Sequence, residues 1–305
     1  AIRRQRQMCI RDRLVAAGNI FMGMTESPVL IKNYLPTMNR SEIFLVMVSG
    51  MGTIAGSVMG TYIGMLGGTD PAAKVLFATH LLSASVMAVP GSIVLAKMLC
   101  PQTEEATDHV AISGKEKENS NILDAISSGT VTGVKLMTNI AAMLLVFISL
   151  VALANYITEG VIGRYTGLND WIVKITDGKA QGLTFQFILG VITSPFMWLI
   201  GVPSQDIMLV GSLLGQKTIL NEFVAYFQLQ QWKDAGLFMY EKSILMSTYI
   251  LCGFANISSI GILLGGLGVL APEKRGLISR IGVPAMIGGA LVSVLSATII
   301  GMILG

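Results

Sequence analysis

The sequence predicts an all-α integral membrane protein, and three observations carry that prediction. Hydrophobic residues make up 52% of the 305 positions and charged residues only 13%, whereas soluble domains carry about 25% charged residues. Several charge-free stretches reach the roughly 20 apolar residues that a helix needs to cross a bilayer. Two apolar stretches also contain polar and helix-breaking residues in their middle, so we expect more than a set of plain spanning helices.

Six charge-free stretches are long enough to be membrane segments. They are residues 43–69, 75–96, 136–158, 180–205, 243–272 and 281–305. A charge at the membrane centre is costly, so a spanning helix is expected to leave a run of this kind in the sequence. The loop at 273–280 has an excess of Lys and Arg. The positive-inside rule places that loop in the cytoplasm, with the last helix running outward.

Composition divides the chain into five segments. Residues 1–13 are cationic, lack the apolar core of a signal peptide and include MCIRDR, a string that resembles a translated sequencing adaptor. We expect them to be a non-native leader, and we expect the native chain to begin further upstream. The remaining segments are predicted to be a first-hairpin remnant with two spans at 14–100, a polar loop and interfacial segment at 101–135, a scaffold span and loop at 136–179, and a second hairpin with two spans at 180–305.

Two of the apolar stretches are predicted to be re-entrant hairpins. Residues 14–36 are interrupted by the polar string GMTESP, and residues 180–227 contain Pro195, Pro203 and the pair Asn221-Glu222. Polar, irregular backbone at membrane depth is tolerated only where protein or a water-filled cavity surrounds it. We therefore expect the polar residues to lie at the hairpin tips.

A weak internal repeat links the two hairpins. After each tip come a short link, a span with Gly and polar residues in its middle, and a further span. One helix, near 136–158, separates the copies, which gives them opposite orientations in the membrane. Inverted repeats with interrupted helices in matching positions are typical of a transporter and indicate its binding site. The predicted architecture is thus an inverted-repeat transporter fold with two re-entrant hairpins and broken transmembrane helices.

Glu26 and Glu222 are the candidate functional residues of the two hairpin tips, since each is a single carboxylate in an apolar stretch. One interpretation is a carboxylate that caps a helix or faces the interface. The other is a substrate ligand, which is favoured because an ionisable residue inside a membrane is costly to desolvate. Their matching positions in the two repeats support the second interpretation.

Asn256, Ser258 and Ser259 lie halfway along a stretch of apolar residues. Small polar residues in such a position can serve helix–helix hydrogen bonding. Alternatively, the helix is locally unwound there and presents these side chains to a polyhydroxylated solute. Gly60 and Gly64, by contrast, are interpreted as ordinary close packing between helices.

Other function classes lack their sequence signals. The net charge of +3 is small and unclustered, which argues against a nucleic-acid partner. The three cysteines are scattered and indicate neither a disulfide framework nor a zinc site. A membrane-embedded enzyme acting on a nucleotide-linked lipid is a less favoured hypothesis, because Glu26 and Glu222 are each solitary and no base lies beside a nucleophile.

Seven motifs together resemble the concentrative nucleoside transporter family. They are GNIF from residue 18, GMTESP from 23, GTIAGSV from 52, GVP from 201, VGSLLGQK from 210, NEFVAY from 221 and CGFANISSI from 252. The resemblance implies a homotrimer in the plasma membrane. It also implies eight spanning helices, an interfacial helix and two hairpins in each protomer, with this chain starting inside the first hairpin.

The resemblance also implies a set of site residues. The base would meet the first tip and two packing residues: Met24, Thr25, Glu26, Val58 and Phe254. The ribose hydroxyls would bind Glu222, Asn256 and Ser259. A single coupling ion, sodium in most members and a proton in some, would be bound by Asn19, Thr53 and the backbone carbonyls of Met22 and Ile54. The resemblance implies no other cofactor.

Two positions depart from the family pattern. Met24 stands where many members have Gln, and a thioether cannot donate a hydrogen bond to a base, so we expect altered base choice with purines tolerated. Ser204 stands where many members have Trp, and we have no physical account of that change. The predicted function is sodium-coupled nucleoside import by an elevator-like alternating-access mechanism. Proton coupling, or another small polar solute on the same scaffold, is the alternative.

Overall fold

The structure, a computed structural model, describes residues 10–103, part of residues 123–150, and residues 152–305 except 177 and 179. These residues form helices joined by turns. The α-helices, numbered within the described residues, are α1 (Ile10–Gly18), α2 (Arg40–Gly52), α3 (Gly56–Gly67), α4 (Pro71–Leu99), α5 (Leu168–Ile175), α6 (Phe185–Leu199), α7 (Ile207–Ile219), α8 (Glu222–Asp234), α9 (Glu241–Leu251), α10 (Ile257–Leu270) and α11 (Arg275–Ile303). Short 3-10 helices lie at Ser27–Thr37 and Pro272–Lys274, and a π-helical segment at Tyr156–Gly163 continues into Arg164–Thr166.

The same order of helices occurs twice. α2, a break and α3 precede α4, whereas α9, a break and α10 precede α11. We name α2 and α3 the first interrupted helix, and α9 and α10 the second. Both α4 and α11 have 29 residues, or about 44 Å, which is enough to cross a hydrocarbon core of about 30 Å. The internal repeat predicted from the sequence is therefore present in the fold.

The first hairpin consists of α1, a tip at residues 19–26, and the 3-10 helix Ser27–Thr37. The Ser27 hydroxyl donates to the carbonyl of Val15 at 2.9 Å and ties the two arms together. The second arm has 11 residues, or about 22 Å, so it is too short to cross the membrane. α1 begins at Ile10, inside the segment expected to be a leader. Residues 1–9 lie outside the described part, and the origin of that leader stays a prediction.

The second hairpin consists of α7 and α8, joined at Leu220 and Asn221. Each arm has 13 residues, about 20 Å, so neither spans a bilayer alone. The predicted hairpin stretch 180–227 also contains α6, which the sequence did not separate from the hairpin. A turn with Gly201 at φ 87° and Pro203 joins α6 to α7, and these helices touch where Gly190 meets Gly211.

The breaks of the two interrupted helices touch each other. The backbone N–H of Phe254 donates to the carbonyl of Thr53 at 3.3 Å. Gly253 has a φ of 141°, and a Cβ there would lie 2.9 Å from the carbonyl oxygen of Met51. Only glycine adopts that backbone conformation readily and leaves room for so close an approach. The crossing of the breaks thus depends on Gly253.

Three helical stretches of the described residues are long and apolar enough to span a membrane: Arg40–Gly67, Pro71–Leu99 and Pro272–Ile303. They match the predicted spans 43–69, 75–96 and 281–305. Stretch 243–272 divides at its break into α9 and α10, as Arg40–Gly67 divides into α2 and α3. Stretch 180–205 holds α6 with only 15 residues. Ten residues of stretch 136–158, and the polar loop from residue 104 to 122, lie outside the described residues.

Two hydrophobic clusters hold the interrupted helices in place. One joins α2, α10 and α11, and the other joins α3, α4, α7, α8 and α9. Phe254 packs against both clusters. α11 approaches α2 closely because Gly289 faces Met51, where a Cβ would lie 2.7 Å from the Met51 Cβ. The cores therefore meet at the crossing point of the breaks.

Candidate functional site

A buried polar cluster lies where the tip of the second hairpin meets the second break. Asn256 Nδ2 donates to Glu222 Oε2 at 2.9 Å. The hydroxyls of Ser258 and Ser259 donate to Asn256 Oδ1 at 2.6 and 2.9 Å. Glu222 is only 7% exposed, and Asn256 and Ser259 are buried. The structure thus brings together the three residues that the sequence predicts as ribose ligands.

Helix starts position the members of this cluster. Glu222 is the first residue of α8, and Asn221 caps that helix by accepting from the Val224 N–H at 2.9 Å. Asn256 caps α10 by accepting from the Ser259 N–H at 2.8 Å. The N-terminal end of a helix carries a partial positive charge. The start of α8 therefore stabilises the Glu222 carboxylate, and the Asn256 cap attaches that carboxylate to the start of α10.

Tyr62 is a member of the site that sequence reasoning missed. Its hydroxyl donates to Glu222 Oε1 at 3.3 Å, and its ring stacks on Tyr226 with centroids 4.2 Å apart. The close-packing interpretation of the flanking Gly60 and Gly64 is wrong within the described part of the chain, because a Cβ on either would meet no heavy atom within 4 Å. The tyrosine, rather than the glycines, makes the contact on this turn of α3.

Lys217 is a second group whose role the sequence did not predict. It is 0% exposed, and its Nζ donates to the carbonyl of Ile250 at 2.8 Å and to the hydroxyl of Ser293 at 3.2 Å. A buried charge is expensive unless it is paired and hydrogen-bonded. Glu222 is near enough to interact with it electrostatically. The site therefore contains the ammonium of Lys217 in addition to the carboxylate of Glu222.

The tip of the first hairpin packs against the first interrupted helix. Gly56 N–H donates to the carbonyl of Phe21 at 2.9 Å. Met24 is buried beside Gly50, and Thr25 lies against Gly266 of α10. The tip thus touches both interrupted helices.

Glu26 behaves differently from Glu222. Its side chain is exposed, and Oε2 accepts a hydrogen bond from the Gly23 N–H at 3.1 Å. This hydrogen bond lies within the tip, and the Glu26 side chain makes no capping hydrogen bond to the 3-10 helix that it precedes. Its contact with a base stays a prediction.

The two predicted packing residues, Val58 and Phe254, pack against the same hydrophobic cluster. Val58 and Phe254 are both half-buried, and both pack against the cluster that holds Tyr62 and Tyr226. Apolar side chains of this kind can cover the faces of a planar ring. Their position is compatible with the predicted role.

A second polar locus lies between the first hairpin and the end of α2. Asn19 is 0% exposed, and its Nδ2 donates to the Ser49 hydroxyl at 2.9 Å. That hydroxyl itself donates to the Val46 carbonyl at 3.2 Å, which fixes the orientation of the amide. Asn19 Oδ1 is left buried with no hydrogen-bond partner among the described residues. An orphaned buried acceptor of this kind suits a cation.

The other predicted ion ligands lie in the tip of the first hairpin and at the break after α2. Thr53 Oγ1 donates to the Ser49 carbonyl at 3.0 Å, so its lone pairs remain able to accept or to ligate. Ile54 is buried in the break after α2, and Met22 is half-buried in the tip. The last carbonyls of a helix lack partners and carry partial negative charge. The residues present fit a hard cation with oxygen ligands.

Known proteins are similar to this chain over most of its length. Residues 80–301 match the family model described as Na+ dependent nucleoside transporter C-terminus. The chain is 39% identical to an uncharacterized transporter of Haemophilus influenzae over 96% of this chain and 66% of that relative. It is also 39% identical to sodium/nucleoside cotransporter 1 of Rattus norvegicus over 96% of this chain and 44% of that protein.

A solved structure also matches. The structure of a CNTnw variant in an outward-facing state superposes with a TM-score of 0.78 at 35% identity, covering 96% of this chain and 65% of that chain. The chain thus spans less than two thirds of the length of these relatives. The matched residues include the second hairpin and the second interrupted helix that build the polar cluster. The chain belongs to the family of Na+-dependent nucleoside transporters.

Proposed function

We propose that this chain forms the substrate-binding and ion-binding part of a sodium-coupled nucleoside importer of the plasma membrane. The observation that carries the proposal is the buried contact between Glu222 and Asn256, in which an acceptor-only carboxylate meets an amide among apolar helices. Polar groups in such a position are expensive and are expected to serve a solute.

Ribose recognition follows from the hydrogen-bonding inventory of the cluster. The two carboxylate oxygens of Glu222 can accept from vicinal hydroxyls, while the amide of Asn256 and the hydroxyl of Ser259 can donate to the sugar oxygens. A nucleoside would take over contacts that these side chains now make with one another. These hydrogen bonds to the ribose need neither an ion nor a strong base. The cluster therefore suits binding rather than covalent chemistry.

Base recognition is assigned to the first tip and the crossing point. Met24 and Thr25 would contact the base edge, with Glu26 acting through water, while Val58 and Phe254 would cover its faces. Met24 offers no hydrogen-bond donor. We therefore propose that purines as well as pyrimidines are accepted.

Sodium is assigned to the locus beside Asn19. The orphaned Asn19 Oδ1, Thr53 and the carbonyls of Met22 and Ile54 would bind it, and the ion would join the first hairpin to the first interrupted helix. One monovalent charge crossing about 100 mV contributes roughly 2.3 kcal/mol, and a tenfold gradient adds about 1.4 kcal/mol. Together they support about 500-fold accumulation, so one ion is sufficient.

The assembly and movement follow the family. A homotrimer in which both hairpins move as a unit past a scaffold would give elevator-like alternating access. The short arms of the hairpins support this, because each reaches only part of the way across a bilayer. CNTnw has been solved in an outward-facing and in an inward-facing state. The loop at 273–280 would face the cytoplasm.

Radiolabelled nucleoside uptake tests the proposal. This chain is joined to the part of the Haemophilus influenzae relative that it does not cover, and we call the product the completed transporter. Uptake of uridine and adenosine is measured in cells that lack their own nucleoside uptake, with sodium or choline at constant pH. We expect uptake that depends on sodium. A completed transporter that reaches the membrane and takes up no nucleoside would contradict the proposal. Uptake that is unchanged when choline replaces sodium would contradict sodium coupling and favour protons as the coupling ion.

A further inference from the structure

The side-chain ammonium of Lys217 lies at the C-terminal end of α9, the first half of the second interrupted helix. The rest of the site does not account for its charge. Its ammonium donates to the carbonyl of Ile250 at 2.8 Å. Ile250 belongs to the last turn of α9, which ends at Leu251. The final carbonyls of a helix have no partner within it and form the negative end of its dipole. The positive charge of the lysine therefore sits where a cation is best stabilised.

Neighbouring groups hold the ammonium in that place. Its second partner is the Ser293 hydroxyl at 3.2 Å, and this hydroxyl donates in turn to the carbonyl of Cys252 at 2.8 Å. The lysine is completely buried. It thus links three elements: the second hairpin, the second interrupted helix and α11.

The first repeat has a corresponding place with different chemistry. There Asn19, from the first hairpin, meets Ser49 in the last turn of α2. In both repeats a polar side chain that precedes the tip glutamate reaches the last turn of the helix before the break, which is α2 in the first repeat and α9 in the second. In the first repeat that side chain leaves a buried oxygen without a donor. In the second repeat the side chain of Lys217 brings three N–H donors and a positive charge.

We infer that Lys217 is the built-in cation of the second repeat: its ammonium occupies the place that a mobile ion takes in the first repeat. This inference rests on the proposed function, since that assigns sodium to the locus at Asn19. The ammonium joins the second hairpin to its interrupted helix without an ion from solution, and its charge interacts electrostatically with Glu222. Lys217 is thus a positioning residue, and it explains why only one repeat needs sodium.

Two substitutions separate charge from packing. Lys217→Gln removes the charge but supplies an amide oxygen beside the carbonyls of Ile250 and Cys252, which resembles the ligand set at Asn19. Lys217→Met removes the charge and supplies no oxygen. Lys233→Gln is the matched control, because Lys233 also donates to a carbonyl near the end of a half-helix, that of Leu66 at 2.8 Å, yet it is partly exposed and pairs with Asp234.

The experiment measures equilibrium uridine binding to the purified completed transporter over a range of sodium concentrations. We expect Lys217→Met to bind uridine roughly 10- to 100-fold more weakly at every sodium concentration. Lys217→Gln should recover binding at high sodium, with the Hill coefficient for sodium rising from about one to about two. The Lys233→Gln control should keep the parental affinity and the parental sodium dependence.

The outcomes are distinct. Parental affinity in Lys217→Met would overturn the inference, and so would a Lys217→Gln variant that stays folded but shows no gain from sodium. If neither Lys217 variant elutes as folded protein, Ser293→Ala is the deciding variant. It keeps the charge of Lys217 and removes one hydrogen-bond partner of its ammonium. A severalfold weaker uridine affinity in Ser293→Ala, with an unchanged Hill coefficient, supports the inference, and parental affinity overturns it. Absence of sodium-dependent uridine binding in the unmodified transporter would instead contradict the proposed function.

Discussion

The amide of Asn256 donates to the carboxylate of Glu222 at 2.9 Å, and this bond joins the second hairpin to the second interrupted helix. Both residues stand at helix starts, so the bond also fixes the relative position of two helix ends. A solute that binds here must compete with the bond or bridge its two partners. The affinity of the site should therefore respond to small changes in either residue.

Glu222→Gln should abolish high-affinity nucleoside binding while leaving the fold intact. Glutamine keeps one carbonyl oxygen for the Asn256 amide, so packing survives, but it loses the charge and one of the two acceptors. Hydrogen bonds to charged groups are the stronger ones, and we expect affinity for uridine to fall roughly 100-fold. The exposed Glu241→Gln at the start of α9 is the control. Unchanged uptake in Glu222→Gln would refute the ribose-ligand role.

Tyr62→Phe tests the residue that the sequence did not reveal. Phenylalanine keeps the stacking on Tyr226, whose ring centroid lies 4.2 Å away, but loses the hydroxyl that donates to Glu222. We expect nucleoside affinity to change about three- to tenfold, with thermal stability preserved. Uridine affinity is compared with that of Tyr240→Phe, which changes an exposed ring. Equal affinities in the two variants would mean that the hydroxyl has no part in the site.

Asn19→Ala addresses the sodium locus. It removes the buried Oδ1 that lacks a partner, so the sodium concentration for half-maximal uptake should rise roughly tenfold or more. Uptake at saturating sodium should recover, since the nucleoside ligands are untouched. Asn33→Ala, an exposed change in the same hairpin, serves for comparison. A sodium dependence identical to that of Asn33→Ala would place the ion elsewhere.

Met24→Gln should shift preference toward pyrimidines. The amide brings both a donor and an acceptor to a buried position beside Gly50, where it can reach a base edge. Competition of unlabelled uridine, cytidine, adenosine and guanosine against labelled uridine gives the base profile. The exposed Met239→Gln should leave that profile as it is. If Met24→Gln does the same, Met24 does not select the base.

The sequence predicted the parts of the site that local chemistry reveals. Glu222 and Asn256 interrupt apolar stretches, and such interruptions are visible without a structure. Tyr62 was missed because its hydroxyl reaches Glu222 only through the packing of α3 on α8, which no local pattern encodes. The turn between α6 and α7 has polar residues at Ser204 and Asp206, but the predicted hairpin over 180–227 included them, so α6 was not separated from the hairpin. Lys217 was visible as a residue, but its partners Ile250 and Ser293 lie far along the chain.

Gly253→Ala tests whether the crossing of the two breaks holds the site together. At a φ of 141° a side chain is strained, and the added Cβ would lie 2.9 Å from the carbonyl of Met51. Backbone cannot yield as a flexible side chain can, so we expect a loss of at least about 2 kcal/mol in stability. Gly60→Ala is the matched control, because its Cβ would meet no heavy atom of the described residues within 4 Å and alanine favours a helix. Thermal unfolding of the purified protein compares the two, and a Gly253→Ala variant as stable as Gly60→Ala would mean that the breaks do not need to touch.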